Sequence, residues 1–172
     1  LTNIAHAINK DKDFVRNVKE LIIMGGSTEK GNITPYAEFN FYKDPDAAKI
    51  VFESNFNQIT MLGLNVTSKQ ALTNNLENIL EKSNNSLANF LFKITRQTAS
   101  FDKSEGHQGA LIHDPITIAS IIDKSLVELK PAKIEIETTG EKKGQSIVTF
   151  VEQSNCLVGY DVDAERFYKL IF

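Results

Sequence analysis

Two apolar runs constrain this chain more than anything else in it. LIIMGG, at residues 21–26, and QITMLGLNV, at residues 58–66, are nearly free of polar interruption. Short runs of this kind, bounded by turn residues, read as strands buried on both faces rather than as half-exposed ones. Between them DPDAAKIVFES starts like a helix, with Asp44 as N-cap, Pro45 at the first helical position, and Ala48, Val51 and Phe52 as its apolar face. Strand, helix and buried strand in succession predict an α/β fold, with helices covering the faces of a sheet.

The rest of the chain fits that plan. LTNIAHAI has apolar residues at Leu1, Ile4, Ala5 and Ile8, which is helical spacing. Residues 68–82, SKQALTNNLENILEK, read as one helix with Leu72, Leu76, Ile79 and Leu80 on one side. SLANFLFKITRQ reads as another, with Leu87, Phe90, Leu91 and Ile94 inward. FDKSEGHQGA is a polar loop, and HDPITIASIID is a second Asp-Pro helix start. KIEIETT, QSIVTF and CLVGYDV have strand patterns, and AERFYKLIF closes the chain as a helix. No repeat or linker divides the 172 residues, so they form one domain or part of one.

Charge and cysteine content exclude several functions. With 19 basic against 22 acidic residues, and no basic run longer than Lys142-Lys143, the chain has no nucleic-acid footprint. No apolar stretch is long enough to cross a bilayer, and no signal-peptide pattern is present. The single cysteine, Cys156, excludes an internal disulfide and a multi-cysteine zinc site. It lies in an apolar run, as a small buried thiol in a reducing compartment does. No GK[ST] follows the glycines at 25, 26 and 31, and no G-x-G-x-x-G opens a helix, so nucleotide-triphosphate and dinucleotide sites lack support.

Two polar clusters could carry chemistry. The first is GNITPYAEFN, directly after the first strand. On extended backbone, Glu38 and Asn40 would point to one side. With Asn32 they would offer two carboxamides and a carboxylate to a polyhydroxylated ligand. Its place after a strand is where open α/β sheets bind ligands. The plain alternative is a turn asparagine and a surface glutamate. The second cluster is LIHDPIT. Asp114 reads either as the N-cap of the following helix or as an oxygen donor to a hard cation, and His113 as a proton donor near neutral pH. His107, in the preceding loop, is either solvated or a lid contact, and His6 lies off the apolar face of its helix.

Taken in order, MGGSTEKGNITPYAEFNFYKDPDAA, GLNVT, HDP, ETTGEKKGQS and DVDAERF resemble the calcium-dependent nucleoside hydrolases of the inosine–uridine-preferring family. The resemblance runs from LTNIA to the closing helix. It implies a Rossmann-like open mixed sheet flanked by helices, and hydrolysis of ribonucleosides to free base and ribose. It implies that Asn32, Glu38 and Asn40 grip the ribose hydroxyls and that Met24 lines the sugar pocket. His113 would protonate the leaving base, and Asp114 and the Thr2 carbonyl would bind Ca²⁺. The family's D-x-D-x-x-x-D-D cluster has no counterpart here. The resemblance therefore implies the C-terminal portion of a single hydrolase domain, residues 1–172, without the family's N-terminal strands and inactive alone. Two other readings remain open: a ribose- or nucleoside-binding protein without turnover, and a half-subunit completed by a partner chain. A cytoplasmic, homo-oligomeric salvage enzyme in its full-length form, with no nucleic-acid or membrane partner, is the expectation that follows.

Overall fold

The computed structural model describes every residue except Gln70 and Phe172. Its elements run α1 (Thr2–Lys10), α2 (Phe14–Asn17), β1 (Leu21–Met24), α3 (Phe39–Lys43), α4 (Pro45–Glu53), β2 (Ile59–Leu62), α5 (Leu64–Thr67) and β3 (Ala71–Thr73). They continue with α6 (Asn74–Lys82), α7 (Ser86–Ser104), β4 (Gly109–Leu111), α8 (His113–Ile122), β5 (Val127–Ile136), β6 (Ser146–Phe150), β7 (Cys156–Val162) and α9 (Ala164–Ile171). The main sheet has the order β1-β2-β7-β5-β6. β1, β2 and β7 are parallel, and β5 and β6 join antiparallel at one side, so the sheet is mixed as expected.

Of the two apolar runs, only β2 lies inside the sheet with both faces covered; β1 is an edge strand of the described sheet, and Ile23 is its one buried residue. All four residues of β2 are buried. Alternation along the strands sends Ile23 and Met61 into a core with Ala5, Phe41, Val51 and Phe52, under α1, α3 and α4. Leu62 lies in a second core with Val66, Ile116, Leu126 and Phe167, under α5, α8 and α9. Phe41 is fully buried and meets Phe52 edge-on at 5.6 Å, a pair that adds to the roughly 1.5–3 kcal/mol gained by burying such a ring. Asp44 caps α4 as the Asp-Pro pattern predicts, accepting from the Ala47 N–H at 3.1 Å. Cys156 is buried, and burial pushes its thiol pKa up.

Several expectations are corrected. The QITMLGLNV run is a strand only to Leu62; Gly63 then turns the chain into α5. Residues 68–82 are not one helix. Ala71–Thr73 pairs antiparallel with Gly109–Leu111, and α6 starts at Asn74. The Tyr168 hydroxyl fixes that strand by accepting from the Ala71 N–H and donating to its carbonyl. The expected loop at 101–110 is shorter, because α7 runs on to Ser104 and β4 begins at Gly109. Leu87, Phe90 and Ile94 on α7, and Ile79 on α6, are exposed rather than inward. The side of α7 that packs carries Ala99 and Asp102, with Ala88, Leu91 and Phe92 partly buried.

Candidate functional site

A pocket of about 450 Å³ opens where the parallel strands end at their carboxyl side. Ser27 follows β1 by three residues, and Leu64 and Asn65 follow β2 by two and three. Asn32 lines it from the loop after β1, His113 from the start of α8, and Phe101, Asp102, Glu105 and His107 from the end of α7 and its turn. Ligands collect at such a place because loops diverge there and leave backbone groups unpaired.

The loop that brings Asn32 to the pocket is locked by its own hydrogen bonds. The N–H groups of Gly31 and Asn32 donate to the carbonyls of Pro35 and Ala37 at 3.1 Å. The Thr34 hydroxyl accepts from Tyr36 and Ala37. Gly31 is required by packing: a Cβ there would lie 2.0 Å from the Ala37 carbonyl oxygen. The Asn32 side-chain oxygen accepts from the Phe39 N–H at 2.9 Å, which ties the loop to the start of α3 and leaves the amide nitrogen as its donor.

Glu38 and Asn40 do not lie on extended backbone. Glu38 is the N-cap of α3 and Asn40 is already helical, so the two-residue spacing does not set their common direction. The pairing comes from hydrogen bonds instead. The Glu38 carboxylate, only 3% exposed, accepts from the N–H groups of Gly26 (3.0 Å), Asn40 (2.8 Å) and Phe41 (3.2 Å). Burial raises its pKa above the ordinary 4.5, against the three backbone bonds, and Asp114 adds to the rise. The Asn40 amide reaches the Met24 carbonyl and sulfur, both at 3.4 Å. Met24, Glu38 and Asn40 therefore form one connected group around the Gly25-Gly26 turn. The lining of the pocket described above includes Asn32 and His113 but not these three.

At the second cluster, the N-cap of α8 is Ile112 and no side chain caps it. The N-cap reading of Asp114 is thus corrected: it sits inside the first turn, exposed, with no capping bond. The His113 Nδ1 lies 2.8 Å from the hydroxyl of Thr67, a fully buried residue, which fixes the ring. Burial lowers the His113 pKa below 6.5, while Asp102 and Asp114 pull it back up. Thr2 lies on α1, and its hydroxyl donates to Asp44. His6 is exposed, and His107 is a pocket-lining turn residue.

The structure therefore brings Asn32 and His113 into one pocket and joins Met24, Glu38 and Asn40 by hydrogen bonds around the Gly25-Gly26 turn. It also adds Ser27, Asn65, Thr67 and Asp102, which nothing local in the sequence singles out as a set. The GLNVT motif held Asn65 and Thr67, but only tertiary packing shows Thr67 against His113. Among the described residues no three His, Cys, Asp or Glu groups converge on a metal-sized site. Asp114 and one carbonyl fall well short of the six to eight oxygens that calcium takes. These residues would supply only part of a calcium shell.

Comparison with known proteins gives a consistent result. A family model described as inosine-uridine preferring nucleoside hydrolase matches residues 1–169. An inosine-uridine preferring nucleoside hydrolase of Crithidia fasciculata is 33% identical over 99% of this chain and 56% of its own length. The pyrimidine-specific ribonucleoside hydrolase RihA of Photobacterium profundum is 36% identical over 99% of this chain and 57% of its own. Among solved structures, a purine-preferring ribonucleoside hydrolase from Gardnerella vaginalis superposes with a TM-score of 0.87 at 30% identity, over 98% of this chain and 55% of that one. A plant nucleoside hydrolase, PpNRh1, gives 0.91 at 27% identity, over 99% and 57%. The chain thus spans somewhat more than half the length of each of these four relatives.

Proposed function

The chain belongs to the inosine-uridine preferring nucleoside hydrolase family, and from that membership we propose that the protein carrying it hydrolyses the N-glycosidic bond of ribonucleosides to free base and ribose. The observation that carries the reading is the convergence of Asn32 and His113 on one polar pocket, backed by the Glu38–Gly26 and Asn40–Met24 contacts.

Glycosidic cleavage passes through an oxocarbenium-like state, so the sugar must be held while positive charge develops. The Asn32 amide, its oxygen already engaged, is aimed as a donor to a sugar hydroxyl. Glu38 and Asn40 hold the Gly25-Gly26 turn and, in this proposal, contribute acceptors to the ribose as the substrate settles. His113, fixed through Nδ1 by Thr67, presents Nε2 to the leaving base. Burial lowers the ring's pKa while Asp102 and Asp114 favour its charged form; the imidazolium passes its Nε2 proton to the base nitrogen as the bond breaks and is left as neutral imidazole. Asp114 and the Thr2 carbonyl would contribute oxygens to a calcium ion, which would orient the sugar diol. These two donors do not complete its shell.

The relatives are named for purine, pyrimidine and inosine-uridine preference alike. Base preference in this proposal therefore rests on the pocket rim, where Phe101 is 65% exposed and free to stack on a base. A cytoplasmic salvage role and homo-oligomeric assembly belong to the same proposal and rest on family membership alone.

Ribose release from inosine, uridine and p-nitrophenyl riboside tests the reading. His113→Ala should lower turnover of the two nucleosides by about 10²–10⁴-fold and spare the nitrophenyl substrate, whose leaving group needs no proton. Equal losses on all three would remove the acid role. Nucleoside binding without ribose release would turn the protein into a binder.

A further inference from the structure

The turn between β5 and β6 carries the ETTGEKKGQS segment, and its residues reach back to the loop and helix that frame the pocket. Ser146, at the start of β6, is 7% exposed. Its hydroxyl accepts from the Ser27 N–H at 2.9 Å and donates to the Ser27 carbonyl at 2.7 Å. One side chain thus satisfies both backbone groups of a pocket-lining residue far away in sequence. Gly144, at φ +84°, lies flush on α3, where a Cβ would be 2.5 Å from the Tyr42 Cα. Lys142 and Lys143 sit over the rings of Tyr36 and Tyr42, at 5.5 and 5.7 Å from the centroids.

The opposite side of the same turn is held by Glu38, which accepts from the Gly26 N–H. Gly26, at φ +68°, and Ser27 are therefore gripped between a carboxylate and a hydroxyl from distant parts of the chain. Ser27 is 4% exposed, so water cannot readily replace Ser146 as its partner. The gripping hairpin is itself rigid: Ser146 pairs in register with Ile136, which is buried in the core under the sheet.

We infer that the β5–β6 hairpin is a brace for the nucleoside-facing loop and α3, and that Ser146 is a positioning residue for the Asn32, Glu38 and Asn40 group. The inference rests on the ribonucleoside reading of the pocket. Ser146 touches no substrate; it acts through the backbone of Ser27, and so on the turn from which Met24 and Asn40 are set.

The test is Ser146→Ala and Ser146→Thr in the protein that carries this chain, with exposed Thr149→Ala on the same hairpin as control. Backbone amide exchange is followed by mass spectrometry over residues 24–31 and 38–43, and ribose affinity by calorimetry alongside KM for inosine. Ser146→Ala should speed exchange over residues 24–31 and weaken ribose binding and KM on the order of tenfold or more. Ser146→Thr, which keeps the hydroxyl, should restore both, and Thr149→Ala should change neither. A Ser146→Ala protein with a lowered melting temperature but unchanged exchange at 24–31 and unchanged ribose affinity overturns the brace. A wild-type protein that binds no ribose defeats the nucleoside reading instead, and the exchange measurement still decides whether the hairpin holds the loop.

Discussion

Replacing Glu38 tests how much of the pocket's frame hangs on one buried carboxylate. Oε2 accepts from Gly26 and Phe41, and Oε1 from Asn40. Glutamine keeps the shape but only one acceptor oxygen, so at least one of the three N–H groups then faces an NH₂. A buried donor left unpaired costs about 1–3 kcal/mol. Part of that is offset, because the glutamine carries no charge to bury. Glu38→Gln should therefore destabilise by about 1–2 kcal/mol. Alanine strips all three partners; two of them, Asn40 and Phe41, are the α3 cap, worth about 0.5–2 kcal/mol, and the third leaves the Gly26 N–H unpaired. Glu38→Ala should cost on the order of 2–5 kcal/mol. Urea unfolding at pH 7 reads both through the midpoint, with the slope unchanged.

The pH dependence supplies the refutation. The folded pKa of Glu38 is raised above 4.5, with burial as its largest cause. The folded state then holds the proton more tightly than the unfolded chain does. The stability tied to that proton is fully present below about pH 4.5 and is lost as pH rises through the folded value. Glutamine has no such titration, so the stability of the wild type relative to Glu38→Gln should fall as pH rises through this window. A difference that grows over the same window would mean that the three N–H bonds outweigh burial, and the reasoning fails.

Two further substitutions probe the same region. Gly25→Ala places a Cβ 2.5 Å from the ring of Phe41, which is fully buried and packed on Phe52. An overpacking cost of about 1–3 kcal/mol is expected in the urea midpoint, and an unchanged midpoint would show that the ring yields freely. Asp114→Ala should weaken calcium binding and ribose release together; calcium affinity unchanged by isothermal titration removes Asp114 from the ligand set.

Much of the architecture was legible from nearest-neighbour patterns. Asp44-Pro45 announced α4 because an N-cap and a proline at the first helical position act within four residues. The same pattern misled at Asp114-Pro115, where the helix begins two residues earlier and Ile112 takes the cap position. Residues 71–73 have a helical pattern around them, yet pairing with 109–111 and the Tyr168 hydroxyl draw them into a strand. The inward face of α7 was misread for a related reason. A long helix with apolar residues on several sides buries whichever side its neighbours cover, and those neighbours are α6 and β4, not a local signal.

For the site, the sequence by itself determined the chemistry available: two carboxamides, a glutamate, a histidine and an aspartate in motifs of recognisable order. It determined β2, whose end borders the pocket, since an unbroken apolar run has to be covered on both faces. Only the tertiary structure decided which groups meet. Glu38 turns out to be a buried anchor for three backbone N–H groups, Thr67 fixes His113, and Ser146 holds Ser27 from the far side of the sheet. Periodicity records how a residue sits on its own helix or strand. It carries no record of which distant donor will fill a particular acceptor, because that is set by how the layers pack.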